Sequence, residues 1–253
     1  MKISARLALF AIAFSAIAFA QTPGSVSVIN YAGYTGTFPV APGSIASAYG
    51  NFGSVATTSL SSLSPMPTTL AGIRVRVNNV DAPLYFVSSG QINLVVPVGT
   101  PEGRQTVEVL QGGNVINRGS VNIYAVGPGL AQSNTETTGQ GILQNQDFSV
   151  NSQTQRARRG EVIQIYATGC GATNPVSRDG LPPGTLSPAV AEVKAYIDVR
   201  EAAVAFAGAH PQFPGICQVN AVVPNTASIS GRVTLYLTMN GIASNPVSFW
   251  VAP

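Results

Sequence analysis

Groups able to carry catalysis are scarce in this sequence. It has one histidine, His210, in the segment GAHPQFPG (Gly208 to Gly215), and no Gly-x-Ser-x-Gly motif that would place a nucleophilic serine on a sharp turn. A hydrolase of the Ser-His-Asp type would have to use His210, but the two prolines of the segment predict an exposed loop. The sequence therefore predicts a protein that is not an enzyme and has no cofactor, with a hydrolase based on His210 as the alternative.

Cysteine chemistry is limited to two residues, Cys170 and Cys217. In an exported protein, two cysteines favour a disulfide, because the compartment permits oxidation. Two free buried thiols are the alternative. A zinc site is not predicted, since paired cysteines would leave a single imidazole as a ligand.

Two polar segments could in principle bind ions. NQDFSVNS (Asn145 to Ser152) places oxygen-bearing side chains at alternate positions, as calcium would require, but lacks the glycine and distal glutamate of an EF-hand loop. A hairpin turn capped by Asn and Asp is the simpler interpretation, so no metal is predicted. RARRG (Arg156 to Gly160) is the only basic cluster, which is either a site for an anionic polysaccharide or a solvated turn before a strand.

Exposed aromatic side chains are the better candidates for binding. Phe213 lies in the same segment as His210, and Tyr31 and Tyr34 lie near the N-terminus, whereas Trp250 belongs to the strand pattern VSFWVAP. Loops on a rigid β-scaffold commonly carry recognition. The candidate ligand-binding residues are therefore Phe213, His210, Tyr31 and Tyr34, for a cell-envelope protein or an extracellular glycan. The alternative is that these rings only close the ends of the core.

The first twenty residues are typical of a secretory signal peptide. Lys2 and Arg6 precede an apolar run, and Ala18-Phe19-Ala20 provides a small-x-small site for cleavage after Ala20. An uncleaved anchor is the alternative, although the apolar run is shorter than the ~20 residues of a membrane span. We therefore expect a mature chain without a membrane span, located in the periplasm, at the cell surface or outside the cell.

The charge of the mature chain gives no sign of a nucleic-acid partner. Removing Lys2 and Arg6 from the 13 basic residues leaves 11 against 10 acidic residues. Charged residues make up 9% of the sequence, against about 25% in an average soluble domain. The surface must therefore be made polar by Ser, Thr, Asn, Gln and the backbone.

An internal repeat determines the predicted architecture. AGIRVRVNNVDAPLYF (Ala71 to Phe86) aligns with AEVKAYIDVREAAVAF (Ala191 to Phe206), and GRQTVEVLQGG (Gly103 to Gly113) aligns with GRVTLYLTMNG (Gly231 to Gly241). The second copy contains Gly208 to Gly215 as an insertion. The common order of these segments predicts a tandem duplication.

Each copy consists of short alternating or β-branched runs separated by Gly, Pro and Asn. About seven strands in ~100 residues are typical of an immunoglobulin-like sandwich. The sequence therefore predicts an all-β protein of two tandem immunoglobulin-like β-sandwich modules, at 21–126 and 139–253. Residues 127–138, rich in Gly, Pro and small polar residues, are predicted to be a short linker.

The two copies share a Gln-x-Asn motif at the start of a strand. QINLVVP contains Gln91 and Asn93, and QVNAVVP contains Gln218 and Asn220. We expect these amides to be structural and to tie the strand to an adjacent loop through backbone N–H and C=O groups. A repeated ligand site is the alternative.

These motifs also resemble a known family. INYAGY, VAPGSIASAYG, PTTLAGIRVRVNNVDAPLYFVSSGQINLVVP, RRGEVIQIYATGCGATNPVSRDG, FPGICQVNAVVP and SNPVSFWV together resemble the uncharacterised Solibacter-type C-terminal domain family of acidobacterial exported proteins. The likeness covers nearly the whole mature chain. It implies an exported immunoglobulin-like module without established catalytic residues.

The sequence thus predicts a secreted, non-catalytic structural, adhesion or binding module at the cell surface or in the matrix. A carbohydrate-binding accessory module of extracellular polysaccharide breakdown is the alternative function.

Overall fold

The computed structural model describes residues 22–32, 38–62, 64–133 and 138–253. These residues form twenty β-strands and no α-helix. The described ranges therefore contain no helix that is long and apolar enough to cross a membrane. The predicted signal peptide and Tyr34 lie outside the described residues. The predicted all-β class is confirmed.

The first module is one continuous sheet of nine strands, in the order β3-β6-β7-β2-β1-β9-β8-β4-β5, that folds over its core. β1 joins the two halves of the sandwich, because it pairs antiparallel with β2 and parallel with β9. The strands are β1 (Gly24–Asn30), β2 (Ile45–Gly50), β3 (Thr58–Ser59), β4 (Ile73–Val77), β5 (Val80–Asp81), β6 (Leu84–Val87), β7 (Gln91–Val95), β8 (Gly103–Gln111) and β9 (Asn114–Ile123).

Strand β4 shows how the sequence pattern produces the sandwich. Its five residues alternate between buried and half-buried positions, as expected when successive side chains point to opposite faces. Arg74 and Arg76 lie on the outer face and pair with Asp81 at 3.4 and 2.9 Å. The hairpin to β5 turns through Asn78 and Asn79, both with positive φ, a conformation that Asn tolerates better than most residues.

The second module contains two sheets. One has the order β10-β12-β17-β16-β13 with β11 also on β12, and the other has the order β15-β14-β18-β19 with β20 also on β18. One buried cluster fills the space between the sheets. The strands are β10 (Gly129–Leu130), β11 (Leu143–Gln144), β12 (Val162–Thr168), β13 (Ser187–Pro188), β14 (Val193–Ile197), β15 (Arg200–Ala202), β16 (Val204–Ala209), β17 (Cys217–Val222), β18 (Gly231–Met239), β19 (Ile242–Ala243) and β20 (Val247–Val251).

Equivalent strands make equivalent pairings in the two modules. β7 lies between β6 and β2, and β17 lies between β16 and β12. In the first module, β1 pairs antiparallel with β2 and parallel with β9. In the second module, β11 pairs antiparallel with β12, and nearby Gln140 forms a parallel bridge to Ser248 of β20. The protein is therefore built of tandem immunoglobulin-like sandwiches, while the duplication itself stays a prediction from the sequence.

The predicted linker, 127–138, is structured in its first part. Leu130 is 1% exposed, and β10 pairs with Ala167 and Thr168 of β12. The side chain of Asn245 accepts the N–H of Leu130 at 2.7 Å and donates to its C=O at 3.0 Å. Since Leu130 is apolar and its backbone groups are satisfied, this segment is an edge strand of the second module, which its Gly and Pro content did not indicate.

Candidate functional site: a cleft between the modules

The two modules contact each other through backbone groups. Gly127 is held to the first module by Asn30, whose side-chain amide donates to the C=O of Gly127 at 2.9 Å, and the N–H of Gly127 donates to the C=O of Gly169 at 2.9 Å. The hydroxyl of Thr168 accepts the N–H of Ile45 at 2.7 Å and donates to the C=O of Gly215 at 2.9 Å. A Cβ on Gly169, which has φ +82°, would clash with the carbonyl oxygen of Gly127. Glycine is therefore required there for the modules to approach so closely.

A second set of contacts joins other segments of the two modules. Asp179 accepts the N–H of Val98 at 2.8 Å, and the N–H of Met66 donates to the C=O of Gly180 at 2.9 Å. Ile216, from the second module, packs against a buried cluster of the first module that includes Met66. Hydrogen bonds and apolar packing together hold the modules in one arrangement.

A cleft of about 370 Å³ opens beside this junction. Its walls come from residues within 95–102 of the first module and within 169–178 and 213–217 of the second. Ligand pockets typically occupy ~300–1,000 Å³ and are frequent at domain interfaces. Because loops of both modules line the cleft, it is the first candidate for a binding site.

A disulfide braces one wall of the cleft. Cys170 and Cys217 are bonded, with their Cα atoms 5.9 Å apart, and both line the cleft. The predicted disulfide is confirmed. Each cysteine directly follows a residue that contacts the first module, Gly169 and Ile216 respectively. The bond therefore fixes the two interface segments of the second module relative to each other.

His210 is buried, contrary to the exposed loop predicted from its neighbouring prolines. It is 7% exposed, because β16 continues to Ala209 and the histidine begins the turn at the end of that strand. Its Nδ1 accepts the backbone N–H groups of Gln212 and Phe213 at 3.0 and 3.1 Å. Burial lowers the pKa of His210. The neutral imidazole thus holds the turn, and this nitrogen is already occupied by backbone donors.

Phe213 is the candidate residue that reaches the cleft. It lines the cleft and is 42% exposed. Its ring stacks on His210 with a centroid distance of 4.7 Å and an interplanar angle of 25°, and His210 in turn contacts Tyr166 at 5.7 Å. Three rings therefore support one another, and the outermost of them faces the cleft.

Tyr31 does not join this group. It is 37% exposed, makes an edge-to-face contact with Tyr85 at 6.3 Å, and does not line the cleft. Tyr34, the fourth predicted binding residue, lies outside the described residues. Of the predicted binding residues that can be placed, the structure brings together His210 and Phe213.

The amides of the Gln-x-Asn motif in the first module form hydrogen bonds with other side chains. Asn93 is 7% exposed, and its Oδ1 accepts the hydroxyl of Ser47 and the amide of Gln91, each at 2.8 Å. Ser47 lies directly opposite Asn93 on β2. The prediction that these amides bond to backbone groups of an adjacent loop is wrong, because Asn93 bonds across the sheet to Ser47 and Gln91 bonds to Asn93 on the same strand.

The second module repeats part of this arrangement. Gln218 donates to Asn220 at 2.9 Å and, more weakly, to Gln164 of β12 at 3.4 Å. Asn220 is only half-buried. Neither amide pair lines the cleft.

The two candidate ion-binding segments form turns. Asp147 accepts the N–H and the hydroxyl of Ser149 at 3.0 and 2.6 Å, and these hydrogen bonds lower its pKa. The guanidinium of Arg156 lies 5.2 Å above the ring of Trp250, and Arg158 pairs with Glu161 at 3.8 Å. Within the described ranges, no group of three or more His, Cys, Asp or Glu residues is arranged to hold a metal.

Two charged residues of the cleft were not found from the sequence. Glu102 comes from the first module and Arg178 from the second, and both are exposed. Neither side chain has a hydrogen bond or ion pair with another described residue. No sequence motif marks them, because the junction brings them into one cleft from loops far apart in the chain.

Comparison with known proteins gives no assignment. No family model and no curated protein matches the sequence. Solved structures with low similarity include Bacteroides ovatus mixed-linkage glucan utilization locus SGBP-B, in complex with a mixed-linkage heptasaccharide, at 11% identity over 85% of this chain and 43% of that chain, with a TM-score of 0.31. This chain thus spans less than half the length of that protein.

Two further solved structures are similar at the same level. Titin A168–A169 has 12% identity over 85% of this chain and 94% of that chain, with a TM-score of 0.26. The Escherichia coli adhesin FdeC has 10% identity over 92% of this chain and 65% of that chain, also with a TM-score of 0.26. At these scores the likenesses decide nothing about this chain, and its function has to be inferred from the site.

Proposed function

We propose that the chain is an exported, non-catalytic binding protein that holds an extracellular partner in the cleft between its modules, at the cell surface or in the matrix. The observation that carries this proposal is the cleft itself, which both modules line and in which Phe213 is exposed. An apolar ring exposed in a braced concave site has little value for the core and is well placed for recognition.

Export is part of the same proposal. The disulfide between Cys170 and Cys217 supports it, because such bonds persist in oxidising compartments. Membership of the Solibacter-type acidobacterial family is likewise proposed, on the order of the shared motifs. The absence of catalysis is proposed because Nδ1 of the one histidine is bonded to backbone N–H groups and is not free to accept a substrate proton.

A pair of matched substitutions tests binding in the cleft. Ala172 lines the cleft and is exposed, so Ala172→Trp should fill the cleft without disturbing the core. Ala56 is also exposed and lies outside the cleft, so Ala56→Trp is the control. The immobilised full-length protein is incubated with solubilised cell-envelope material and with extracellular polysaccharide, and saturable binding is measured for each.

We expect binding that Ala172→Trp removes and Ala56→Trp retains. Equal binding by both variants would place the site elsewhere. Failure of the unsubstituted protein to bind any material would contradict the binding function as a whole.

A further inference from the structure

The ring of Phe213 has one free face. His210 covers the other face, at 4.7 Å and nearly parallel, yet the residue remains 42% exposed and lines the cleft. The exposed surface therefore belongs to the ring edge and to the face directed away from His210. A flat apolar surface of this kind matches the C–H face of a sugar ring as well as it matches another aromatic ring.

The surroundings of Phe213 fix the orientation of this face. Nδ1 of His210 accepts the N–H of Phe213, Tyr166 packs behind the imidazole, and Pro214 is buried. The next residue, Gly215, is hydrogen-bonded through its C=O to Thr168. Because the backbone is held on either side of Phe213 and His210 stacks on one face of the ring, the side chain loses little further freedom when a ligand binds, which favours affinity.

The charges of the cleft favour an uncharged ligand with hydroxyl groups. The side chains of Glu102 and Arg178 each lack a hydrogen-bond or ion-pair partner within the described part of the chain, and their charges are opposite. A carboxylate accepts hydrogen bonds from hydroxyl groups, and a guanidinium donates to them. A polyanion would be attracted by Arg178 but repelled by Glu102, and a polycation the reverse, whereas a neutral polyol can bond to both groups without repulsion.

The same walls are poorly suited to a peptide. Besides loops, the described walls include ends of β7, β16 and β17, each of which is paired with a strand on both sides, so these strands offer no free edge for backbone pairing. Phe213 is the one aromatic residue among the described residues that line it. Grooves that bind proline-rich peptides are lined by several aromatic rings.

We propose that the cleft binds an uncharged polysaccharide, with one sugar ring stacked on Phe213 and neighbouring hydroxyl groups bonded to Glu102 and Arg178. This inference rests on the proposed binding function and names the ligand class of the same site. It assigns His210 as a positioning residue, because it orients Phe213 and does not itself line the cleft.

Affinity electrophoresis of the full-length protein tests this assignment, in native gels containing a soluble β-glucan, mannan or arabinoxylan, with anionic polygalacturonate for comparison. The variants are Phe213→Ala, Phe213→Trp and the control Phe148→Ala. Phe148 is 68% exposed and lies outside the cleft, so it is a matched aromatic residue. The dissociation constant for any retarding polysaccharide is then measured by calorimetry.

We expect at least one neutral polysaccharide to retard the protein. Phe213→Ala should weaken binding about tenfold or more, which is typical of a central aromatic contact, whereas Phe213→Trp and Phe148→Ala should retain it. If Phe213→Ala does not fold, Glu102→Gln combined with Arg178→Gln, both at the exposed rim, should weaken binding severalfold. Unchanged affinity in Phe213→Ala and in the double variant of Glu102 and Arg178, or binding to polygalacturonate alone, would overturn the inference.

The outcome also separates this inference from the proposed function. Binding of an envelope protein that Ala172→Trp removes, without binding of any polysaccharide, would overturn the sugar assignment and leave the binding function standing. No binding of either material would contradict both.

Discussion

Nδ1 of His210 accepts the backbone N–H of Phe213 at 3.1 Å, and the rings of these two residues stack with their centroids 4.7 Å apart. The same nitrogen accepts the N–H of Gln212 at 3.0 Å. Both bonds require an unprotonated Nδ1, because a protonated nitrogen has no lone pair to accept with. The turn that presents Phe213 to the cleft is therefore built for the neutral imidazole.

Stability should consequently fall when the solution is acidified. Burial lowers the pKa of His210 below its ordinary value of 6.5 in the folded chain, so the unfolded chain binds the proton first. The free energy of unfolding should have its full value above the pKa that His210 has in the unfolded chain. It should decline as the pH falls through the lower pKa of the folded chain. Urea unfolding between about pH 8 and about pH 5 measures this dependence.

His210→Gln is the control for this pH dependence. Glutamine does not titrate, so the variant should be less stable at neutral pH and nearly flat across the same range. The hydrogen bonds from Ser149 lower the pKa of Asp147 below its ordinary value of 3.8, which places that titration outside the range. A slope in the variant equal to that of the unsubstituted protein would exclude His210 as its source.

Gly169→Ala is expected to separate the modules. The added Cβ would clash with the carbonyl oxygen of Gly127, and the residue has φ +82°. Gly160 has φ +80° and open space within 4 Å of the position that a Cβ would take, so Gly160→Ala carries the backbone strain without the clash. We expect about 1 kcal/mol for Gly160→Ala and a larger loss, with a split unfolding transition, for Gly169→Ala.

Calorimetry and small-angle scattering measure this difference. A single transition and an unchanged radius of gyration in Gly169→Ala would show that the junction tolerates the added carbon. Losses of equal size in the two variants would mean that backbone strain alone accounts for the effect.

Strands could be predicted from the sequence because they depend on local alternation, and the disulfide could be predicted from the number of cysteines. The alternation of Ile73, Val75 and Val77 with arginines indicates a half-buried strand. The pairing of Cys170 with Cys217 follows from there being only two cysteines in a chain predicted to be exported. The edges were less predictable: β3, β10 and β13 have two residues each, too few to show a period.

The candidate site could be predicted only in part. Phe213 was identified because its loop is an insertion relative to the first copy. The burial of His210 could not be predicted, since it depends on how far β16 extends and on the contact with Tyr166 of another strand. The cleft depends on contacts between distant segments, such as that of Ile45 with Thr168, which leave no periodic signal in either segment.

Loss of the disulfide should destabilise the second module strongly. Cys170 and Cys217 are 47 residues apart, for which the chain-entropy model gives about 4 kcal/mol. Urea unfolding of the Cys170→Ala and Cys217→Ala double variant should show this loss. Reductant should then affect the unsubstituted protein and leave the variant unchanged. A loss well below about 1 kcal/mol would mean that packing alone holds this wall of the cleft.

Asn93→Ala should cost more stability than Asn220→Ala. Asn93 is 7% exposed and accepts hydrogen bonds from Ser47 and Gln91, so its removal leaves two donors without their acceptor, at a cost of about 1–3 kcal/mol. Asn220 is half-buried and accepts from Gln218 at 2.9 Å, so we expect about 1 kcal/mol or less.

Urea unfolding of both single variants measures these costs, and a double-mutant cycle between Ser47→Ala and Asn93→Ala isolates the hydrogen bond that joins β2 to β7. Because the Ser47 hydroxyl is buried and donates across the sheet to Asn93, the coupling between the two residues should account for a measurable part of the loss. Unchanged melting temperatures in both single variants would remove the structural explanation of the repeated amides. The amides would then be candidates for a second ligand site, outside the cleft.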